Sequence, residues 1–281
     1  RKLGAGVVRT GSGLPQLQWD SIDRFQPKYL VAVPSFLLKM IEYAIEHKID
    51  YKNSTVKAAV CIGEPIRNLN NELNALGTKI SELWDIELFS TYASSEMATA
   101  FTECEFHTGN HIQPDLIFTE ILNEVGDPVK EGEPGELIIT TLQNQTMPLV
   151  RFATGDILTF SEKPCKCGRK TLRLSALIGR KSQMIKLKGT SLYPQTIIEV
   201  LHDFNVIKNF VIEAKRGKNG LDEIIVKIPD TVSSYHFLLL KDTFKAKILV
   251  TPEIERVPEA LINDLKFQGN AGKAKIFLDY R

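Results

Sequence analysis

The sequence predicts an α/β protein: a parallel-sheet half-domain, then a small β-rich subdomain, then a compact α+β C-terminal domain. Three textures along the 281 residues carry that reading. Up to about Glu96, short apolar runs alternate with stretches of helical periodicity. From about residue 112 to 171 the chain breaks into short β segments separated by turn residues. After Gly179-Arg180, helices and strands return in mixed order. The expected boundaries are 1–180 for the larger part, with the β-rich subdomain at about 105–178, and 181–281 for the smaller.

Residues 29–33 (YLVAV) read as a buried strand, and 35–48 as a helix whose Leu37, Ile41, Ala44 and Ile45 share one face. A second strand is expected at 56–62, a helix at 66–84 and a third strand at 86–91. That alternation favours parallel pairing with right-handed crossovers, and a ligand site beyond the carboxyl ends of the strands. Gly63-Glu64-Pro65 and Tyr92-Ala93-Ser94-Ser95-Glu96 follow strands and fall on that edge. In the β-rich part, strands are expected at 118–123, 135–141 and 149–152, with turns at Gly126-Asp127, Glu133-Pro134-Gly135 and Gly155-Asp156. Beyond it, 181–189 is basic and partly alternating, and 194–204 is a helix with Pro194 in its first turn. Strands at 206–215 and 222–228, a helix at 232–246 and a last strand at 275–280 complete the chain.

Composition narrows the function classes. Hydrophobic content of 43% and charged content of 25% are ordinary for a soluble globular chain. A net charge of +1 argues against a nucleic-acid partner held by bulk electrostatics. The densest apolar run, 29–38, is too short for a membrane span and is broken by Pro34. The first ten residues lack a signal-peptide core, and the chain opens on Arg1 rather than Met, so a preceding segment is expected. Four cysteines, two of them as Cys165-Lys166-Cys167, do not form a secreted disulfide framework, and a reducing cytoplasm is expected. The oligomeric state stays open, a homodimer included.

Several residues carry chemistry. Ser94-Ser95-Glu96 after a strand could cradle phosphate through hydroxyls and N–H groups, with Glu96 a hard ligand for a nucleotide-borne magnesium ion. The same serines could instead cap a helix. Asp156 in Thr154-Gly155-Asp156 sits on an expected tight turn, where a carboxylate can accept two ribose hydroxyls. Arg151 and Arg180 offer fork geometry to phosphate oxygens, or form surface ion pairs. Lys273, on the Gly-rich loop around Gly272, can reach a transferring carboxylate or phosphate as a point charge, or be a solvated loop lysine. Cys104, Cys165 and Cys167 with one histidine would complete a tetrahedral zinc site clipping two distant loops. His111 is the preferred fourth ligand and His107 the alternative; free thiols are the competing reading. Met97 and Phe101 are either an apolar pocket lining or core, and Cys61 is expected to be core.

Taken in order, FSTYASSE (89–96), VRFATGDI (150–157), LIGRKSQMIKLKG (177–189) and AGKAKIFLDYR (271–281) resemble the later motifs of the adenylate-forming superfamily. Within it, the stretch MIKLKGTSLYPQTIIE (184–199) resembles the phenylacetate–coenzyme A ligase family, and the resemblance covers essentially the whole chain. It implies ATP-dependent activation of a carboxylic acid, aryl in class, to an acyl-adenylate and then to a coenzyme A thioester. Tyr92 would lie against the adenine, Ser95 near the phosphate and Glu96 on magnesium, with Ala93 and Ser94 also among the nucleotide-binding residues. Gly63-Glu64-Pro65 matches the adenine loop, Asp156 the ribose ligand, Arg180 the start of the hinge and Lys273 the lysine of the adenylation step. Residues 1–180 would be the remainder of the large AMP-binding domain and 181–281 its mobile lid. The cysteine set is similar to a zinc site of some members. Three departures stand out: the Ser/Thr/Gly-rich phosphate loop is absent, Ser182 replaces the usual Asp or Lys at the hinge, and Gly155 stands where close relatives often carry a charge. The alternatives are a non-catalytic nucleotide- or adenylate-binding protein, and an adenylating enzyme with an acceptor other than coenzyme A.

Overall fold

A computed structural model describes residues 4–11, 13–187, 190–204, 206–217, 221–267 and 275–281. It divides into two compact units, Arg1–Thr154 with Leu158–Leu177, and Gly155–Ile157 with Ile178–Arg281.

The first unit opens with α1 (Pro15–Phe25), β1 (Tyr29–Ala32), α2 (Pro34–Glu46), β2 (Ala58–Cys61), α3 (Ala75–Leu83) and β3 (Glu87–Ser94). As the alternation predicts, β1, β2 and β3 pair in parallel, Tyr29 opposite Ala58 and Ala58 opposite Glu87. Both α1 and α2 start on a proline, whose fixed φ suits a first turn and whose missing N–H costs nothing there. Helix α1 was not expected, yet it is anchored: Trp19 Nε1 donates to Met40 O at 2.9 Å and its ring lies 5.3 Å from that of Trp84. Those two tryptophans join Leu37, Ile41, Ile80 and Leu88 in one buried cluster. Leu30 and Ala32 pack against it, while Tyr29 and Val31, on the opposite face of the edge strand β1, stay 71% and 69% exposed.

Two expectations fail here for local reasons. The helix predicted at 66–84 exists only from Ala75. Asn68 Oδ1 accepts from the amides of Asn70 (2.9 Å) and Glu72 (3.1 Å), closing a turn that competes with helix. Asn74 then caps α3 by accepting from Gly77 N at 2.9 Å. The third strand also runs on through Ser94 and folds back as an antiparallel hairpin with β4 (Thr99–Thr102), Ser94 facing Thr99 and Tyr92 facing Phe101. The serines of the motif therefore lead into a hairpin turn, not a helix.

Strands β5 (Asn110–His111), β6 (Ile117–Leu122), β7 (Gly135–Thr141), β8 (Phe152–Leu158), β9 (Phe160–Ser161) and β10 (Arg173–Leu174) follow. Among the described residues β4, β5, β10 and β9 extend the first sheet, while β6 and β7 form an antiparallel hairpin of a second. Met97, Phe101, Ile117, Leu137, Ile139 and Leu158 form the core of this β-rich part, which makes Met97 and Phe101 core residues. The expected tight turn at Gly155-Asp156 is instead the middle of β8. Gly155 takes φ 74°, so its freedom bends a strand rather than reversing the chain.

In the second unit, β11 (Gly179–Arg180) pairs antiparallel with residues 156–157, and a 3-10 turn at Lys181–Gln183 holds Ser182. A hairpin of β12 (Ile185–Leu187) and β13 (Thr190–Leu192) leads to α4 (Pro194–His202). Then come β14 (Val211–Arg216), β15 (Asp222–Pro229), α5 (Ser234–Ile248), β16 (Glu253–Val257), α6 (Glu259–Phe267) and β17 (Phe277–Asp279). The sheet order is β16-β15-β14-β17, and Ile197, Leu201, Ile212, Val226, Leu240 and Phe244 form its core. The C-terminal Arg281 fastens the hairpin to the sheet by donating to Met184 O (2.8 Å) and Asp222 Oδ2 (2.9 Å).

Candidate metal centre and nucleotide motifs

Four side chains converge from two loops of the first unit. Cys104 directly follows the pair that ends β4, His111 lies in β5, and Cys165 and Cys167 sit on the loop before β10. Their ligand atoms all lie within 4.8 Å of one another. Cys104 Sγ is 3.5 Å from Cys165 Sγ, and Cys167 Sγ is 3.6 Å from His111 Nε2. A tetrahedral zinc ion with thiolate and imidazole ligands requires edges of about 3.5–3.8 Å, from its usual bond lengths. The donor set and its spacing fit that ion.

The surroundings favour the metal-binding forms of His111 and Cys165, and oppose that of Cys104. Burial, then Arg169 and Arg173, push the His111 imidazolium down, which keeps the ring neutral. His111 Nδ1 faces Thr171 Oγ1 at 3.0 Å, leaving Nε2 for the cluster. Burial pushes the Cys104 thiol up to about 11. Burial also opposes the Cys165 thiolate, but the Cys167 amide and the Thr108 hydroxyl outweigh it and bring that thiol down to about 7. Buried Arg173 ties the two loops together, donating to Thr108 O and Lys163 O, both at 2.8 Å. A side chain at Gly109 would put Cβ 2.9 Å from Leu174 O, so only glycine lets this loop approach β10. His107 points elsewhere, with Nδ1 3.1 Å from Glu103 Oε1 and Nε2 3.3 Å from Glu87 Oε1. Cys61 is buried in β2.

The nucleotide motifs are more open. Ser95 and Glu96 are exposed on the turn that joins β3 to β4, and Ser94 Oγ accepts from Met97 N at 3.4 Å. Tyr92 is half-buried, its ring 6.3 Å from that of Phe101, and Ala93 is exposed. Gly63 and Pro65 are exposed after β2, but Glu64 has a structural task. Its carboxylate accepts from Ser35 N (2.9 Å) and Ser35 Oγ (2.8 Å), satisfying the start of α2. In the second unit, Arg180 Nε lies 3.1 Å from Asp156 Oδ1 across β8 and β11, so two expected ligands pair with each other. Arg151 belongs to the first unit, where it grips Glu120 through Nε and Nη2, each at 3.1 Å. Lys273 lies outside the described residues.

Sequence reasoning missed Thr171, Thr108 and Arg173 around the cysteines, and the buried pair Arg67–Glu103. The first three lie within six residues of an expected ligand, and proximity to a metal loop could have flagged them. Nothing in the sequence links residue 67 to residue 103.

No family model matches the chain. Phenylacetate-coenzyme A ligases of Thermus thermophilus and Escherichia coli are 29% and 27% identical to it, over 80% and 81% of this chain and 50% and 51% of theirs. A crystal structure of 2-hydroxyisobutyryl-CoA ligase in the postadenylation state superposes with a TM-score of 0.76 at 22% identity, over 96% of this chain and 59% of that one. No helix among the described residues is long and apolar enough to cross a membrane. In sequence the chain is similar to phenylacetate–coenzyme A ligases, it shares the fold of the 2-hydroxyisobutyryl-CoA ligase structure, and it spans about half the length of the curated relatives it matches.

Proposed function

We propose that the protein activates a carboxylic acid, aryl in class, with ATP and passes the acyl group to coenzyme A. The observation that carries this reading is the kinship with phenylacetate–coenzyme A ligases over four-fifths of the chain, with the adenylation motifs kept in order. A carboxylate oxygen attacks the α-phosphorus, the bond to pyrophosphate breaks, and Lys273 offsets the charge that develops. Coenzyme A sulfur then attacks the acyl carbon and AMP leaves. Tyr92 is assigned to the adenine, Gly63 and Pro65 to the loop beside it, and Ser94 and Ser95 to phosphate. Glu96 is assigned to magnesium, Asp156 to the ribose and Arg180 to the hinge of a lid formed by 181–281. The exposure of Ser95 and Glu96 at the end of a parallel-sheet strand supports that assignment.

The Cys104, His111, Cys165 and Cys167 cluster is assigned to one structural zinc ion, on the strength of its edge lengths and its neutral imidazole. A reducing compartment such as the cytoplasm keeps these thiols in their ligating form, and all four cysteines are free.

The test is exchange of labelled pyrophosphate into ATP across a panel of aryl and aliphatic acids, using the longest natural form of the protein. Exchange that depends on an aryl acid is expected; no exchange with any acid would overturn catalysis. Thioester formed from a synthetic acyl-adenylate and coenzyme A identifies the acceptor, and product only with an amine or a carrier protein would replace it.

A further inference from the structure

We propose that Glu103 is a positioning residue that couples the Cys/His cluster to the strand presenting the nucleotide motif, so that metal occupancy and nucleotide affinity rise together. The nucleotide part rests on the reading above; the geometric part stands on the first unit alone.

Glu103 immediately precedes Cys104 but turns away from the cluster and from water, its side chain 1% exposed. Its Oε1 accepts from the Ser90 amide of β3 at 2.6 Å, and its own amide donates to Ser90 O at 3.1 Å. Arg67 Nε lies 2.7 Å from Oε2 and 3.0 Å from Oε1. The far end of that guanidinium donates to Leu88 O (3.1 Å) on β3 and to Asn71 O (3.2 Å) on the loop after β2. His107, in the turn between Cys104 and His111, adds its Nδ1 at 3.1 Å. One carboxylate thus fastens three segments: the metal loop, the loop that follows Gly63–Pro65, and β3 two residues before Tyr92.

A buried pair like this is a weak source of net stability, because desolvating both charges offsets their attraction. What it does supply is register, since the carboxylate satisfies the Ser90 amide and the Arg67 guanidinium together. Cys104 is bonded to the next position in the chain. If the cluster comes apart and Cys104 shifts, Glu103 cannot hold Ser90 and Arg67 together. The disturbance then reaches β3 just ahead of the hairpin turn. By linkage, a nucleotide that orders the turn must in turn tighten the metal site.

The experiment measures amide hydrogen exchange at residues 88–96 and the affinity for AMP, with the protein zinc-loaded and after chelation. Should the protein purify metal-free, adding zinc runs the same comparison in reverse. In the wild type, chelation should speed exchange at 88–96 and weaken AMP binding, each by about tenfold, within the usual span of coupling energies. Zinc-loaded Glu103→Gln should keep its metal yet already behave like the chelated wild type, with chelation adding less than about twofold. Arg67→Gln with Glu103→Gln removes both charges, so it should regain thermal stability over the single variant while the linkage stays broken. That recovery separates coupling from folding, and covers the case in which the single variant does not fold. Unchanged exchange at 88–96 on chelation of the wild type, or a full metal response in either variant, would overturn the proposal. If AMP binds neither form while exchange responds as expected, the nucleotide reading falls and the coupling stands. If AMP binds equally with and without zinc and exchange is unchanged, the coupling falls and the nucleotide reading stands.

Discussion

The cysteine cluster and the Tyr92–Glu96 hairpin belong to the same unit, yet one is closed and the other open. Around the cluster Thr171 sets the imidazole, Thr108 approaches Cys165, and Arg173 ties the loops. At the hairpin, Ser95 and Glu96 face solvent, and Glu64 on the neighbouring loop caps a helix instead. The difference teaches what each has to do. A structural metal site forms together with its fold, because ion binding there is part of folding, and the proposed zinc site is closed accordingly. The hairpin keeps its polar groups accessible, as the nucleotide site proposed for it requires.

Four substitutions break or sharpen this contrast. The largest effect is expected at Lys273, the lysine proposed for the adenylation step: Lys273→Ala should lower pyrophosphate exchange by about 10²–10³-fold, the usual worth of a group that stabilises transition-state charge. Thioester formation from a synthetic acyl-adenylate should persist, and equal loss of both steps would remove Lys273 from adenylation. Next comes the closed kind. Cys165→Ser should release the expected zinc and cost several kcal/mol in a urea melt, of the order of what structural zinc contributes. A variant that stays metal-free and as stable as the wild type would end the zinc assignment.

Glu64→Ala tests the boundary between the two kinds. As a cap on α2 it should cost about 1 kcal/mol of stability, with a smaller change in AMP affinity. A binding loss exceeding the stability loss would make it a nucleotide ligand first. The smallest effect is expected in the second unit, at Asp222. Burial works against its charge, but the Lys186 amide and Arg281 hold its carboxyl below the usual carboxylate range. A depressed carboxyl stabilises the fold above its unfolded pKa and stops doing so as pH falls through the folded one. The melting difference between wild type and Asp222→Asn should therefore be present at neutral pH and shrink as pH falls below the ordinary aspartate value of about 3.9. A difference that persists in acid would assign the effect to packing.

Legibility in the sequence follows the same division. The parallel order of β1, β2 and β3 was readable because strand and helix periods alternate over 29–91. Cys165-Lys166-Cys167 was readable as a candidate metal loop, and the geometry groups it with His111 while His107 faces Glu103 and Glu87. The start of α3 was not readable from periodicity, because Asn68 and Asn74 put side-chain hydrogen bonds where a helix was expected. Gly155-Asp156 read as a turn, since the same pair can reverse a chain or bend a strand. Helix α6 and strand β16 were overlooked because each buries little, Ile262 and Ile254 among polar neighbours, and α1 because its two buried residues, Trp19 and Ile22, stand in an otherwise polar stretch. The Arg67–Glu103 pair left no trace at all, because burial is a property of the fold and not of either residue.

Tyr29 and Val31 on β1 have a consequence beyond the sites. Parallel sheets are ordinarily sheathed on both faces, and here the face opposite the helices carries two large side chains in water. A polypeptide released with that surface bare is adhesive, and its solution behaviour should depend on concentration. Sedimentation of the wild type should reveal self-association that Val31→Lys relieves. Inside a cell, chaperone capture and turnover would compete with whatever covers that face of β1.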